Sequence, residues 1–291
     1  MTPTLLRMST ALAALLPAFL AVLPATVHAE TFHTCAGFID SIPATITTQG
    51  VWCLRQDVAT TLATGDAIHV DANNVIIDCN GFKIGGLAAG AGTTTVGIRS
   101  LSRGNIGVRN CSIRGFSYGV QLDGEVGGHL VEDNRLDGNT FFGILVSGDG
   151  SLVRRNRVLD TGGSTVYPGA AYGIFATYDV DIADNIVSNV LALPSATDVI
   201  HTYGIYTQYN DTGTVSGNHV SGLSTKNGGN AVALYNYLSG RLTILQNVVV
   251  GPTDAGIAIR CANALGRAVG NVVHGFAVAI QGCADGGGNS L

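Results

Sequence analysis

Three groups of side chains have the types and spacing to do chemistry. Asp198 and His201 stand three residues apart in a long stretch between repeating segments, and Lys226, one of two lysines, lies in the next such stretch. A carboxylate beside an imidazole is a minimal acid–base pair. Hydrolysis of a glycan would need a second carboxylate across the scissile bond, and elimination from a uronate would need a base with a cation such as Lys226 on the sugar carboxylate. The second group is aromatic. Eight of the nine tyrosines fall between residues 167 and 237. Tyr167, Phe175, Tyr178, Tyr203, Tyr206 and Tyr209 are read as substrate-binding rings, because an aromatic side chain stacks on apolar sugar faces and tyrosine adds a hydroxyl. The third group is Asp179, Asp181 and Asp184. Oxygen ligands suit calcium, but alternation along a strand spreads these three apart, so no metal site and no cofactor is assigned, calcium being the one ion they would suit. Zinc-type Cys and His spacings are absent from the sequence.

These residues must be positioned by a repeat. The pattern apolar-x-x-Asn-x-apolar recurs, with its fourth position at Asn80, Cys111, Asn134, Asn156, Asn185, Asn218, Asn247 and Asn271. A second motif, Gly/Ala-apolar-x-apolar, lies between its copies, as in GVQL, GILV, GIFA and GIYT from residues 119, 143, 173 and 204, with AVAL from 231. A period of 20 to 50 residues marks a solenoid or array. Each motif alternates like a half-buried strand, and short strands of this kind bury an apolar face only when coils stack. The expected fold is all-β, a single-stranded right-handed parallel β-helix of about eight coils. At roughly 4.8 Å per coil it would be on the order of 40 Å long. Asn at the bend tolerates left-handed backbone and can bond neighbouring backbone. Stacked in register, each amide can also bond the next. Charges alternate down one column, Asp78, Arg109, Glu132 and Arg154, and down the next, Asp133, Arg155 and Asp184, as register-setting ladders would.

The chain resembles the right-handed parallel β-helix proteins of the pectin-lyase-like superfamily through CAGFIDSIPATITTQGVWCL, NNVIIDCNGFKIGG, NIGVRNCSIRGFSYGV and CADGGGN, over roughly residues 35–291. The resemblance supplies the handedness, along with the general right-handed rule for parallel crossovers. It implies a partner that is a polysaccharide or cell-surface glycan. The galacturonase set NTD, DD, GHG and RIK and the epimerase run DPHE are missing, and fold alone does not confer chemistry. Two readings therefore stand. One is a carbohydrate-active enzyme, a polysaccharide lyase or glycoside hydrolase, using Asp198 and His201. The other is a non-catalytic glycan-binding or envelope-structural β-helix.

Composition bounds the rest. Residues 1–29 read as a signal peptide, with an apolar run from Ala11 to Leu23 and a small-x-small site at Val27-His28-Ala29. That run is too short to span a membrane, so the chain is expected to be secreted or periplasmic. Removing Arg7 leaves 14 basic and 20 acidic residues, a net of −6, which argues against nucleic acid. Six cysteines in an exported chain imply disulfides. Cys261 and Cys283 follow the same motif in the last two coils and should pair, as should Cys35 and Cys53. Cys79 and Cys111 lie on neighbouring coils one position out of register, which leaves their pairing open. Residues 30–66 precede the regular repeat and read as an N-terminal cap, 67–291 as the β-helix, and DGGGNSL as a short flexible tail. Three longer loops, 160–172, 190–203 and 223–230, occupy one position in the repeat and should stack on one face, where repeat proteins often bind.

Overall fold

The computed structural model describes residues 35–192, 197–238, 240–251, 255–263 and 265–291. The expected signal peptide and residues 193–196 of one long loop lie outside them. The described residues wind into a parallel β-helix. Each full coil contributes three short strands, and these stack into sheets of eleven, nine and ten strands with parallel pairing throughout. Each sequence motif has a defined place. The first apolar residue of the Asn unit points inward from the eleven-stranded sheet, as Val108, Val131, Val153, Ile182, Val215 and Ile244. Its last apolar residue points inward from the nine-stranded sheet, as Ile113, Leu136, Val158, Val187, Val220 and Val249. The Gly-apolar motif gives the third stack, Ile98, Val120, Ile144, Ile174, Ile205, Leu234 and Ile259. All of these side chains are buried. Three aliphatic columns thus fill the interior, and each strand depends on the coils beside it for burial.

The glycine of the second motif has a steric cause. A Cβ at Gly119, Gly143 or Gly173 would lie 2.5–2.6 Å from the carbonyl oxygen of the glycine one coil further on. Backbone approaches backbone here, and only the smallest residue fits where the strand kinks.

The asparagine ladder forms between the eleven- and nine-stranded sheets. Oδ1 of each ladder Asn accepts both the backbone N–H and the side-chain Nδ2–H of the Asn one coil earlier, at 2.9–3.1 Å from Asn134 to Asn271. Each Nδ2 also donates to a backbone carbonyl of the earlier coil, as Asn156 does to Val131 at 2.9 Å. The left-handed residue is not the Asn itself but the one before it: Asn110, Asp133, Arg155, Asp184 and Gln246, with φ of 53° to 57°, or Gly217 and Gly270. The Asn stays inside because its amide must reach two coils at once. Asn80 departs from the expected column. It is itself left-handed, with φ 50°, and bonds Leu54 O. Cys79 is the buried residue of that coil, which brings it against Cys111, and the two are bonded. Cys35–Cys53 and Cys261–Cys283 are bonded as well.

Both ends of the repeat extend beyond the Asn signature. Residues read as a cap carry strands Gly37–Ile39, Ala44–Ile46, Gly50–Leu54 and Val58–Ala59, which join the same three sheets. The tail is ordered rather than flexible. Ala284–Asp285 pairs with Arg267–Val269, and Asn289 continues the ladder, its Oδ1 accepting the N–H and Nδ2–H of Asn271 at 2.9 and 3.0 Å.

Candidate functional site

The aromatic side chains gather on the outer face of the ten-stranded sheet. Strands Phe142–Ser147, Ala170–Thr177, His201–Gln208 and Ala231–Tyr237 contain no acidic, lysine or arginine residue. Their outward positions form two ring columns. Tyr118, Phe142, Tyr172 and Tyr203 pair coil to coil immediately before the kink glycine. Phe175, Tyr206 and Tyr235 pair three residues further along each strand.

The two columns pack as a herringbone. Along the first column, ring centroids are 4.7–5.0 Å apart with interplanar angles of 6° to 17°. Phe175 and Tyr206 lie 5.0 Å apart at 7°. Between columns the rings meet edge to face, Tyr172 against Phe175 at 87° and Tyr203 against Tyr206 at 81°. The pattern ends at Tyr235, which turns to 86° from Tyr206 and carries the Arg260 guanidinium 5.0 Å above its ring. Most ring faces therefore cover one another, and the surface offers ring edges and hydroxyls rather than a floor of open faces. Strand spacing of roughly 4.8 Å is short for flat side-by-side rings, so they tilt and stack. Burial pushes the hydroxyl pKa of Tyr172 up to about 12, and it raises those of Tyr118, Tyr203, Tyr206 and Tyr235. The phenols stay protonated at neutral pH and can donate.

Phe175 and Tyr206 occupy this face as alternation expects, and Tyr203 joins it in the other column. Tyr178 and Tyr209 lie at the end of their strands with φ of 65° and 54°, centroids 6.3 Å apart, and Tyr209 is 49% exposed. Tyr167 stacks on Phe141 at 4.7 Å from the 160–172 loop. Tyr235 falls in the Tyr206 column, two residues from the register read from AVAL. That motif has a small residue at both 231 and 233, so alternation alone leaves two registers. The column through Tyr118, Phe142 and Tyr172 escaped the sequence reading, although an aromatic-Gly pair at 118, 142, 172 and 203 marks it.

The three loops do stack. His201 N–H donates to Gly169 O at 3.0 Å, Ala192 N–H to Ser224 O at 2.8 Å, and Ile200 pairs with Lys226. His201 sits at the rim of the aromatic face, its ring 6.3 Å from Tyr203. Its Nδ1 accepts the Asn230 N–H at 3.0 Å. Asp198 is exposed, and its backbone carbonyl holds the Asn227 amide at 2.9 Å. Among the described residues no hydrogen bond or ion pair joins Asp198 to His201, and none engages the Lys226 ammonium. The Asp179 carboxylate accepts from Asp211 N–H, Thr212 N–H and the Thr212 hydroxyl at 2.6–3.0 Å. Burial raises its pKa, but these bonds outweigh that and the net shift is downward. Asp181 is held by Thr214 at 2.7 and 2.8 Å. Both aspartates thus serve the next coil, and among the described residues no cluster of metal-ligating side chains forms. No helix among the described residues is long and apolar enough to cross a membrane.

The family described as right handed beta helix region matches residues 59–190. The fold of the described residues is that of a right-handed parallel β-helix. No curated protein matches it by sequence. The A-module of the mannuronan C-5 epimerase AlgE6 of Azotobacter vinelandii is similar in structure, with a TM-score of 0.49 and 11% identity over 88% of this chain and 78% of that one. The Agl-KA catalytic domain gives 0.39 and 11% over 87% and 62%.

Proposed function

We propose that this β-helix protein binds a polysaccharide laid along its axis on the aromatic face, and does so in an oxidising compartment outside the cytoplasm. The observation that carries the reading is four successive strands whose outward positions hold aromatic rings and no charge. Tyr172, Tyr203, Tyr206 and Tyr235 place phenol hydroxyls on three successive coils, so neighbouring coils offer related contacts to a repeating ligand. Three disulfides suit an oxidising environment. Among the described residues the face holds no carboxylate pair, and His201 at its rim does not touch Asp198, so binding is favoured over catalysis.

The test removes hydroxyls and keeps rings. Affinity electrophoresis against a panel of neutral and acidic polysaccharides should show binding that Tyr203→Phe with Tyr206→Phe weakens by about tenfold, two hydrogen bonds' worth. The melting temperature should stay unchanged. Unaltered retardation in the double variant would mean that the rings serve only the fold. Release of reducing ends or unsaturated uronate, lost in Asp198→Ala and His201→Ala, would establish catalysis instead.

A further inference from the structure

A second site lies on the outer face of the eleven-stranded sheet, away from the aromatic rings. One outward column of that sheet runs Ile76, Gly107, Leu130 and Leu152. The missing side chain at Gly107 opens a notch of about 190 Å³ between Ile76 and Leu130. The notch is open but tight at its floor, where a Cβ on Gly107 would lie 3.1 Å from Cγ1 of Ile76. It is well below the roughly 300–1,000 Å³ of a whole small-molecule pocket, so it suits one substituent of a larger ligand.

Its two ends are polar. At one end Asn105 lines the notch, its amide donating to Asn74 Oδ1 at 3.0 Å. At the other end stand Arg109 and Glu132. They are register partners on adjacent strands, yet among the described residues no ion pair joins them. Arg109 Nε is held by Asp78 Oδ2 at 2.8 Å. The contacts to Glu132 from Arg154 and Arg155, at 2.7–2.9 Å, all fall on Oε2. Glu132 is only 8% exposed, and its Oε1 has no protein partner among the described residues. The rim therefore presents spare guanidinium N–H donors and a spare carboxylate acceptor beside an apolar recess.

We propose that this notch binds the acetamido group of an N-acetylated amino sugar. The methyl fills the recess between Ile76 and Leu130, the carbonyl oxygen accepts from Arg109, and the amide N–H donates to Glu132 Oε1. The site is independent of the aromatic face and does not rest on the reading given to it.

The full chain, labelled at Ile and Leu methyls, is titrated by NMR with the trisaccharide of N-acetylglucosamine, its de-N-acetylated counterpart and N-acetylalanine methylamide. The acetylated sugar should shift the Ile76 and Leu130 methyls saturably, and the de-N-acetylated sugar should bind about tenfold more weakly or not at all. Gly107→Ala, which needs only a small yield from Ile76, should abolish the shift while the melting curve holds. The wild-type footprint decides the matter even if that variant folds poorly. Equal affinity for both sugars, shifts confined to residues beside the tyrosines, or the absence of any shift at millimolar sugar would overturn the proposal. Binding of the acylated amino acid as tight as the sugar would overturn the saccharide assignment.

Discussion

At the scale of single residues, the interior is specified by side chains that serve two coils at once. Asn185 is fully buried. It accepts the Asn156 N–H and Nδ2–H and donates to Val153 O and Asn218 Oδ1. Asn185→Leu strands several buried backbone and amide groups, so it should cost about 3 kcal/mol or more in urea unfolding. A loss within error of zero would mean that the ladder is redundant with the sheets. His129 makes the opposite statement. Its Nδ1 accepts the Ile106 N–H at 3.3 Å, but Nε2 is buried without a partner, and burial pushes its pKa down to about 4 from 6.5. The unfolded chain therefore takes up a proton below pH 6.5 that the folded chain refuses. Stability is full above that value, declines as pH falls and levels off near 4, with a total loss of about 3 kcal/mol. His129→Gln should flatten urea midpoints between pH 6.5 and 4.5. The lowered carboxyls of Asp133 and Asp179 act in the same direction but at lower pH. A wild-type midpoint that holds constant across the window would show that the imidazole is not buried neutral.

At the scale of elements, the strand face is where sequence reading reached furthest and then stopped. Alternation put Phe175 and Tyr206 outward, and part of the charge ladder forms, with Asp78–Arg109 at 2.8 Å, Glu132–Arg154 at 2.8 Å and Asp133–Arg155 at 2.7 Å, while among the described residues no ion pair joins Arg109 to Glu132 or Arg155 to Asp184. What alternation could not give is ring orientation. Whether outward rings lie open or tilt onto one another depends on coil spacing and on both columns together, which no single strand contains. The loops stacked as their shared repeat position required, yet three residues of sequence separation did not make Asp198 and His201 a pair, because loop backbone is not bound to strand or helix periodicity. The herringbone predicts a stability effect distinct from any binding effect. Tyr172 touches Phe142 and Tyr203 face to face and Phe175 and Tyr206 edge to face. Tyr172→Ala should cost about 2–4 kcal/mol, through lost ring pairs and the gap left between them. Tyr209→Ala, at an exposed ring, should cost well under 1 kcal/mol. Similar losses at both positions in thermal unfolding would argue against a cooperative aromatic layer.

At the scale of the whole molecule, the chain is a one-dimensional stack whose stability is a sum over neighbouring coils. That is why the Asn signature announced the fold so clearly, and why it fades at both ends. Terminal coils have one neighbour each, so they need fewer of the devices that define the middle. At the N-terminal end the Cys79–Cys111 disulfide stands where ladder amides stand elsewhere. Without an Asn to mark them, those strands read as a cap. At the C-terminal end the Gly-rich composition of the tail reads as disorder, yet Asn289 completes the ladder with bonds to Asn271, Ala268 O and Asp285, and Ser290 O receives the Val273 N–H at 2.8 Å. This amide adds to the backbone pairing that fastens the last half-coil. Asn289→Ala should release that segment while leaving the middle untouched, because coupling in a stack decays from coil to coil. Hydrogen exchange should speed up first at Asn271 and Val273 and next at Asn247. Rates at Asn156 and Val158, several coils away, should stay at the wild-type value. Uniform acceleration along the rod would instead mean that the coils unfold as one cooperative body. No change at Val273 would mean that the Cys261–Cys283 bond alone holds the end.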